Sequence, residues 1–390
     1  MRVDRSLRHT DRSADRRRRG VVLFAVLFFI LLLTATIATF LRRVAVDAGI
    51  AVNRDRAAAA EALARGGIRL AEALLLEDLR LDAGEARPDS AWDVWARAGL
   101  EPVFVDDASE TSLRLEIEDA AARLNLNALA GAGGIGLGSE AASEGAGAAT
   151  GDRTDTVGRQ AARATGGLGG GRSGVETRRL FLHGFLERVI DGLPGRPEEK
   201  AYDPQALAEG LLDWVDEDEV RQSGGPEDEP YQQRSPPYRA ANRSLLAIDE
   251  LRLVEGFDGP LVDALRPYVT VWPLAGTGGI NLNTAPSWVL AQLTVGTDVS
   301  GMRPVEEEDV RRILDARDDN VLCSAASAGG GCTPIQELFG GETISPPMVD
   351  RSTIFRVRAT ARVVDVERSI ETILDRSDPA AIQRLAWRVR

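Results

Sequence analysis

The feature that most constrains this chain is an uncharged run of twenty residues, Val21 to Phe40, bounded by arginines at both ends. As a helix, such a run spans about 30 Å, the thickness of the hydrocarbon core of a bilayer. Eight arginines precede it among the first twenty residues. Because positive charge stays on the cytoplasmic side, the N-terminus is expected in the cytoplasm and the rest of the chain outside it. The sequence therefore predicts a transmembrane helix over residues 21–43.

The residue before the run is Gly20, and a glycine followed directly by an apolar helix is the layout of a type IV prepilin leader. In that layout a peptidase cuts after the glycine, which makes residues 1–20 a leader and Gly20–Val21 the cleavage site. A secretory signal would have a shorter apolar region followed by a small-x-small site. A plain, uncleaved anchor is the alternative. Major pilins carry Glu five residues after the cut, where this chain has Ala25.

After the anchor, the chain combines one long helix with a few strands. A helical spacing of apolar residues continues to about Leu81, which predicts an amphipathic stem helix over residues 44–82. Alternation of apolar and polar residues predicts strands within 103–118 and 354–374. We therefore predict an α+β fold in which the long N-terminal helix packs on a small antiparallel sheet. Since the two strand regions lie far apart in sequence, a large all-α insertion is expected between them.

The predicted domain limits follow from these patterns. The sheet domain comprises residues 83–123 and 340–390, and the inserted helical domain comprises residues 124–339. Within the insert, residues 131–174 hold 15 of the 39 glycines of the chain. This composition is typical of a flexible loop.

Net charge argues against broad nucleic-acid binding. The chain carries −13 in total. Eight Arg and three Asp give the first twenty residues +5, so the body carries −18 and repels phosphates. Only two histidines are present, His9 and His183. His183 lies in an apolar stretch, where a packing role is expected, and no other histidine follows the leader for a catalytic triad. The sequence predicts no enzyme.

An acidic loop is the one candidate for a cation site. Residues 209–230 carry nine acids and a single base. Carboxylates at this density repel each other unless a cation or solvent relieves them, and Ca²⁺ takes six to eight oxygen ligands. The candidate ligands are five carboxylates in a loop turned by glycines, namely Asp213, Asp216, Asp218, Glu227 and Asp228. The spacing is not that of an EF-hand, and a solvated acidic loop is the alternative.

Two segments, residues 249–268 and 280–317, resemble helix-hairpin-helix units. In DNA-binding versions the glycine hairpin offers backbone amides to a phosphate. Here the first hairpin carries Glu255 and Asp258, which place negative charge where a phosphate would bind. A structural scaffold is therefore expected, and a membrane-anchored DNA-binding or DNA-uptake protein is the alternative function.

Cys323 and Cys332 are the only cysteines. If the body lies outside the inner membrane, an oxidised pair is favoured, and closing a loop of this size contributes about 2–3 kcal/mol. A zinc site would need two further ligands, and the sequence offers none nearby.

Taken together, the sequence resembles the minor pseudopilin K family of type II secretion systems. The resemblance rests on the arginine-rich leader with its glycine and on a set of short motifs spread along the chain. These motifs are the stem at residues 53–76, Arg-Leu-Asn-Leu-Asn at 123–127, Leu-Leu-Asp-Trp-Val-Asp at 211–216, Pro-Pro-Tyr-Arg-Ala-Ala-Asn at 236–242 and Ile-Asn-Leu-Asn-Thr-Ala-Pro at 280–286. This family also lacks the Glu of other pilins, so Ala25 agrees with it.

The resemblance implies a pilin-like fold with an inserted helical domain and calcium bound in that domain. It implies a subunit at the tip of the pseudopilus, beside the minor pseudopilins I and J, that helps to start assembly for the export of folded proteins across the outer membrane. It further implies a single-pass protein of the inner membrane that is processed and methylated by prepilin peptidase, with its globular part in the periplasm and no nucleic-acid partner.

Overall fold

The computed structural model describes residues 12–81, 87–131, 172–194, 202–274, 279–297, 301–324, 331–378 and 380–390. The helices are α1 (Arg12–Leu81), α2 (Val94–Arg97), α3 (Leu126–Ala130), α4 (Arg172–Asp191), α5 (Pro204–Val215), α6 (Glu229–Gln232), α7 (Gly259–Leu265), α8 (Ser287–Leu290), α9 (Glu307–Asp319) and α10 (Ile335–Leu338). The strands are β1 (Phe104–Asp106), β2 (Thr111–Asp119), β3 (Leu124–Asn125), β4 (Val269–Thr270), β5 (Thr294–Gly296), β6 (Arg303–Pro304), β7 (Leu322–Cys323), β8 (Thr333–Pro334), β9 (Thr343–Ser345), β10 (Ile354–Val363), β11 (Val366–Asp375) and β12 (Gln383–Val389).

The N-terminal half of α1 stands free of the rest of the protein, and its C-terminal half packs on a sheet. Within residues 21–81, α1 contains a stretch that is long and apolar enough to cross a membrane, and that stretch is fully exposed. The half that follows buries one narrow face, which is formed by Ala60, Ala64, Ile68, Ala71 and Leu75. The steps of three and four residues between them are those of a helix with one apolar stripe against a core.

The sheet has five antiparallel strands in the order β1-β2-β10-β11-β12. Alternate residues of its central strands face α1 and are buried, as a period of two requires. These inward residues are Leu113, Leu115, Ile117, Phe355, Val357, Ala359, Ala361, Ile370 and Leu374. The opposite face is polar, with Arg356 and Arg358 paired to Glu371 across the strands. The predicted pilin-like α+β fold is confirmed.

Gly67 allows α1 to approach the sheet closely. A Cβ atom built on Gly67 would lie 2.9 Å from the Cβ atom of Ala359 and 3.1 Å from Leu113 Cδ1. The Gly66-Gly67 pair weakens the helix in isolation. In the fold, the missing side chain of Gly67 lets a helix with small residues lie against a strand with small residues.

The insert is mainly helical, as predicted, and it has its own apolar core separate from that of the sheet domain. Short strands of two or three residues occur as well, in the pairs β3-β4 and β7-β8 and in the triplet β6-β5-β9. Runs this short carry no alternation that a sequence pattern can detect. Strand β9 pairs with β5, and its Ile344 is buried in the core of the insert.

Two buried asparagines hold the insert together in the same way. The side-chain amide of Asn127 donates to Leu245 O (3.0 Å), and its Oδ1 accepts from the Leu245 N–H (2.7 Å). Asn283 makes the same two bonds to Leu322, at 2.9 and 2.8 Å. Each amide therefore imitates one rung of a β-ladder. Both asparagines belong to a Leu-Asn-Leu-Asn or Asn-Leu-Asn motif, which gives these sequence motifs a structural explanation.

The insert is joined to the distal end of the sheet domain through a buried polar network. Asp119, at the end of β2, accepts from the Asn281 amide (3.0 Å) and the Thr284 hydroxyl (2.6 Å) of the insert. Asn281 also donates to the backbone oxygen of Asp89 (3.1 Å). Asp89 in turn pairs with Arg376, whose guanidinium reaches Asp78 of α1 at 2.7 Å. One buried cation therefore connects α1, the segment before α2 and the end of β11.

Replacing Arg376 by Met should destabilise the protein by about 3–5 kcal/mol, because two carboxylates would remain buried without their counter-charge. The measurement is the free energy of unfolding of the detergent-solubilised chain, followed by tryptophan fluorescence, to which Trp95, packed edge-on against Phe355, contributes.

The matched control is Arg384→Met, which removes the more exposed pair between β12 and Glu72 of α1 and should cost about 0–1 kcal/mol. Equal losses for the two variants would contradict the assigned role of Arg376.

Candidate cation site

Helix α5 places the first carboxylate of the cluster in the interior. Asp203 caps its N-terminus, and Pro204 occupies its first turn, an arrangement that favours helix initiation. The apolar residues of α5 are buried in the insert core, and Asp213 is buried with them. Asp216 follows as the C-cap residue. The sequence Leu-Leu-Asp-Trp-Val-Asp therefore sets two carboxylates three residues apart at the buried end of one helix.

A tight loop returns Glu227 to the end of α5. Gly224 and Gly225 have φ angles of 89° and 95°, a region that glycine occupies without strain. The N–H of Arg221 donates to Gly225 O at 2.9 Å, and Val220 bridges to Pro226. This turn brings Glu227, which is 3% exposed, back toward Asp213 and Asp216.

Three carboxylates meet at this point. Oxygens of Asp213, Asp216 and Glu227 all lie within 4.8 Å of one another. Within the described part of the chain, no donor reaches either Glu227 oxygen, Asp216 Oδ1 or the neighbouring Asn242 Oδ1. Four buried acceptor oxygens without a donor are unfavourable in a folded protein, since each loses its hydration without replacement.

The raised pKa values of the three carboxylates also indicate buried negative charge without a counter-charge. Burial, opposed in part by the Gln222 N–H, raises the pKa of Asp213 to about 6. Burial first, and then repulsion from neighbouring carboxylates, raises the pKa of Asp216 to about 7 and that of Glu227 to about 7. Arg221 does not supply the missing charge, because it pairs with Glu255 at 2.6 Å and reaches Asp213 only at 4.0 Å.

The remaining two candidate ligands have other contacts. Asp218 Oδ1 accepts from the Val220 N–H at 2.8 Å, while its backbone oxygen accepts from Asn242 at 2.6 Å. Asp228 accepts from the Ala240 N–H at 3.0 Å and lies 3.6 Å from Arg239. Asp228 therefore positions the 238–242 segment that carries Asn242 and does not join the three carboxylates.

Asn242 lies beside the cluster and carries no acidic group. It ends the Pro-Pro-Tyr-Arg-Ala-Ala-Asn motif and has a left-handed backbone conformation, with φ of 44°, which Asn tolerates better than most residues. Its amide donates to Asp218 O at 2.6 Å, and its buried Oδ1 has no donor, so an amide oxygen near the three carboxylates is free to accept a cation. These are hard oxygen ligands, and they match the preference of Ca²⁺.

The hairpin glycine of the first helix-hairpin-helix-like segment faces the protein. A Cβ atom on Gly256 would lie 2.9 Å from Leu207 of α5. Asp258 caps α7 by accepting from the Leu261 N–H, so its carboxylate takes the place where a phosphate would bind. This geometry is that of a scaffold and gives the DNA-binding alternative no support.

The other predicted site residues lie outside this cluster. Gly20 and Val21 lie within α1, and Val21 is exposed. Cys323 and Cys332 form a disulfide with Cα atoms 5.7 Å apart, which falls in the range usual for such bonds. His183 lies half-buried on α4.

A long N-terminal helix that is apolar enough to cross a membrane over its first half and packs on an antiparallel sheet over its second half, with a helical insert at the far end of the sheet, defines a pilin-type subunit. A family model described as type II secretion system (T2SS), protein K, matches residues 182–274. The type II secretion system protein K of Pseudomonas aeruginosa is 30% identical over 306 residues, which cover 77% of this chain and 73% of that protein. The chain belongs to the type II secretion system protein K family, and it is a pseudopilin of that protein-secretion machinery.

Other relatives agree. The protein K of Aeromonas hydrophila is 28% identical over 208 residues, covering 53% of this chain and 60% of the relative. That of Klebsiella pneumoniae is 43% identical over 101 residues, covering 26% and 29%. A chain in the crystal structure of the GspK-GspI-GspJ complex from enterotoxigenic Escherichia coli has a TM-score of 0.51 and 22% identity. The match covers 86% of this chain and 99% of that one, and it shows that the fold is shared.

Proposed function

We propose that this chain is the tip subunit of the pseudopilus, where it starts assembly together with the minor pseudopilins I and J. The observation that carries the proposal is the position of the insert. Arg56 of α1 pairs with Asp365 in the β10–β11 turn near the anchor, whereas Asp78 pairs with Arg376 at the other end of the sheet. The insert attaches at this second end, through Asp119 and Asn281.

A body of this size beyond the far end of α1 leaves no room for another subunit to stack above. Ala25 agrees with a terminal position. A stacked pilin needs a carboxylate to compensate the amino terminus of its neighbour, and this chain has none at that place. The solved complex of a fold relative contains GspI and GspJ, and the same two partners are proposed here.

The role is structural. The acidic cluster consists of carboxylates whose unsatisfied oxygens fit a cation-binding role. The protein is proposed to catalyse no reaction and to bind no nucleic acid.

Deletion of the gene should stop export of the folded substrates of the system, which would then accumulate in the periplasm. The purified, detergent-solubilised chain should form a complex with I and J from the same bacterium, detected by light scattering. Normal export in the deletion strain, together with the absence of any such complex, would refute the proposal.

We also propose that prepilin peptidase cleaves between Gly20 and Val21 and methylates the new N-terminus, which leaves α1 in the inner membrane with the globular part in the periplasm. The support is the arginine-rich segment before Gly20 and the apolar helix after it.

Mass spectrometry of the membrane-extracted protein should find a chain that begins at methylated Val21. The variant Gly20→Arg should keep Met1, whereas Arg19→Ala, beside it, should be processed normally. An intact Met1 chain in cells with active peptidase would exclude this processing.

Calcium is the proposed ion of the acidic cluster. Asp213, Asp216, Glu227 and the Asn242 amide would hold it, with solvent completing the coordination. The bound ion would neutralise the buried charge and fix the loop between α5 and α6.

Calcium should raise the thermal midpoint of the protein relative to a chelator. The gain should shrink as the pH falls from about 8 to about 6, because protons compete for Asp216 and Glu227, whose pKa values are about 7. In chelator we expect the opposite pH dependence, because the thermal midpoint should then rise as the pH falls. Folded-state pKa values above the ordinary range mean that protonation stabilises the fold at low pH, and this contribution is lost as the pH rises through about 7.

Glu227→Gln should abolish most of the calcium effect, while Glu229→Gln, at an exposed position two residues away, should retain it. Identical midpoints in calcium and chelator for the wild-type chain would rule out a structural calcium site.

A further inference from the structure

One edge of the pilin sheet carries a concentration of exposed apolar side chains that neither core uses. Residues 99–106 follow helix α2 and run antiparallel along β2. A Cβ atom on Gly99 would lie 3.5 Å from Leu115 O, the Val103 N–H donates to Leu113 O at 2.9 Å, and Asp106 pairs with Thr111. At about 3.3 Å per residue, the segment follows most of a strand that is roughly 30 Å long.

The apolar residues of the segment 92–106 divide into an inner and an outer set. Trp95 is 1% exposed and packs against Phe355, so the space beneath the segment is filled. Six others are between 37% and 77% exposed, two of them at the start of α2 and four along the stretch that pairs with β2. We call these six the β1 edge surface: Trp92, Val94, Leu100, Val103, Phe104 and Val105.

Single exposed apolar residues are normal on a protein surface, but six within fourteen consecutive residues are a marked concentration. Concentrations of this kind mark interaction sites. In the described structure β1 pairs with β2 alone, which leaves its outer backbone groups available to a partner.

The rim of this surface is acidic. Residues 98–113 contain Glu101, Asp106, Asp107 and Glu110 and no basic residue. The carboxylate of Asp106 accepts from the Ser109 hydroxyl at 2.6 Å and the Ala108 N–H at 3.1 Å, so its charge is held in place. A partner that matches this surface is apolar at its centre and basic at its rim.

The opposite edge of the same sheet is both apolar and basic, which shows that a pilin-type domain can have a strand edge of the kind expected of the partner. Strand β12 exposes Leu385, Trp387 and Val389. Residues 379–390 carry three arginines and no acid. The two edges of the sheet are thus both apolar and carry opposite charge.

We propose that the β1 edge surface is the lateral docking face for a neighbouring pseudopilin subunit, whose contacting strand edge is apolar and basic. This inference rests on the proposed function, because a tip subunit has pseudopilins beside it and no second copy of itself.

The test uses the detergent-solubilised full chain and purified minor pseudopilins I and J from the same bacterium, with affinity measured at low and at high salt. The variant carries Leu100→Glu and Val105→Glu on the β1 edge surface. The matched control carries Leu385→Glu and Val389→Glu on β12, which are also exposed apolar strand or edge positions. Contacts through α1 are the same in both variants and so do not affect the comparison.

We expect the β1-edge variant to bind at least one of the two partners about tenfold more weakly or worse, with an unchanged thermal midpoint, and the β12 control to bind as the wild type does. Replacing Asp107 and Glu110 by their amides should lower the association rate and flatten its salt dependence.

Three results would overturn the inference while leaving the proposed function intact. The first is unchanged affinity of the β1-edge variant, and the second is a loss confined to the β12 control. The third is concentration-dependent self-association of the chain that Val105→Glu abolishes, which would make a second copy the occupant. Failure of the wild-type chain to bind either partner would instead count against the proposed function itself.

Discussion

The buried cation Arg376 is the constraint on which the relative placement of the elements depends. Its side chain, 2% exposed, lies between Asp78 of α1 and Asp89 before α2, and its guanidinium stacks over Phe355 at 4.4 Å. An arginine can satisfy two carboxylates and an aromatic face together because its charged plane is rigid and carries five donors. Without Arg376, Asp78 of α1 and Asp89 before α2 would remain close together without a counter-charge.

The second buried charge cluster has the opposite character. At Asp78 and Asp89 the protein supplies its own cation, the guanidinium of Arg376. At the three carboxylates of the second cluster, the described residues bring only Arg221 near, and it lies 4.0 Å from Asp213. The same chemistry, carboxylates brought together by folding, thus gives an internal ion pair in one place and a candidate ion site in the other. The difference lies in whether a guanidinium reaches the oxygens.

The sequence indicated the loop of the candidate ion site but not its exact members. Asp213 and Asp216 were predictable, because they end a helix whose apolar face must be buried. Asp228 was expected among the ligands on composition alone, yet it holds the Ala240 N–H, and Asn242 takes a place beside the cluster. Which oxygens converge depends on how two loops cross, and that crossing is set by the packing of Trp214 with Tyr231 and Tyr238, which has no local signal.

Local periodicity and charge predict the apolar N-terminal helix, the stem, the alternating strands and a long insertion, because each of these features lies within one stretch of sequence. Tertiary packing alone sets which face of α1 is buried, why Gly67 is needed and how Asn127 and Asn283 replace ladder hydrogen bonds. It also brings the exposed apolar residues of β1 beside β2 at the edge of the sheet. These features join residues distant in sequence, and their energies come from contacts that exist only after the chain has folded.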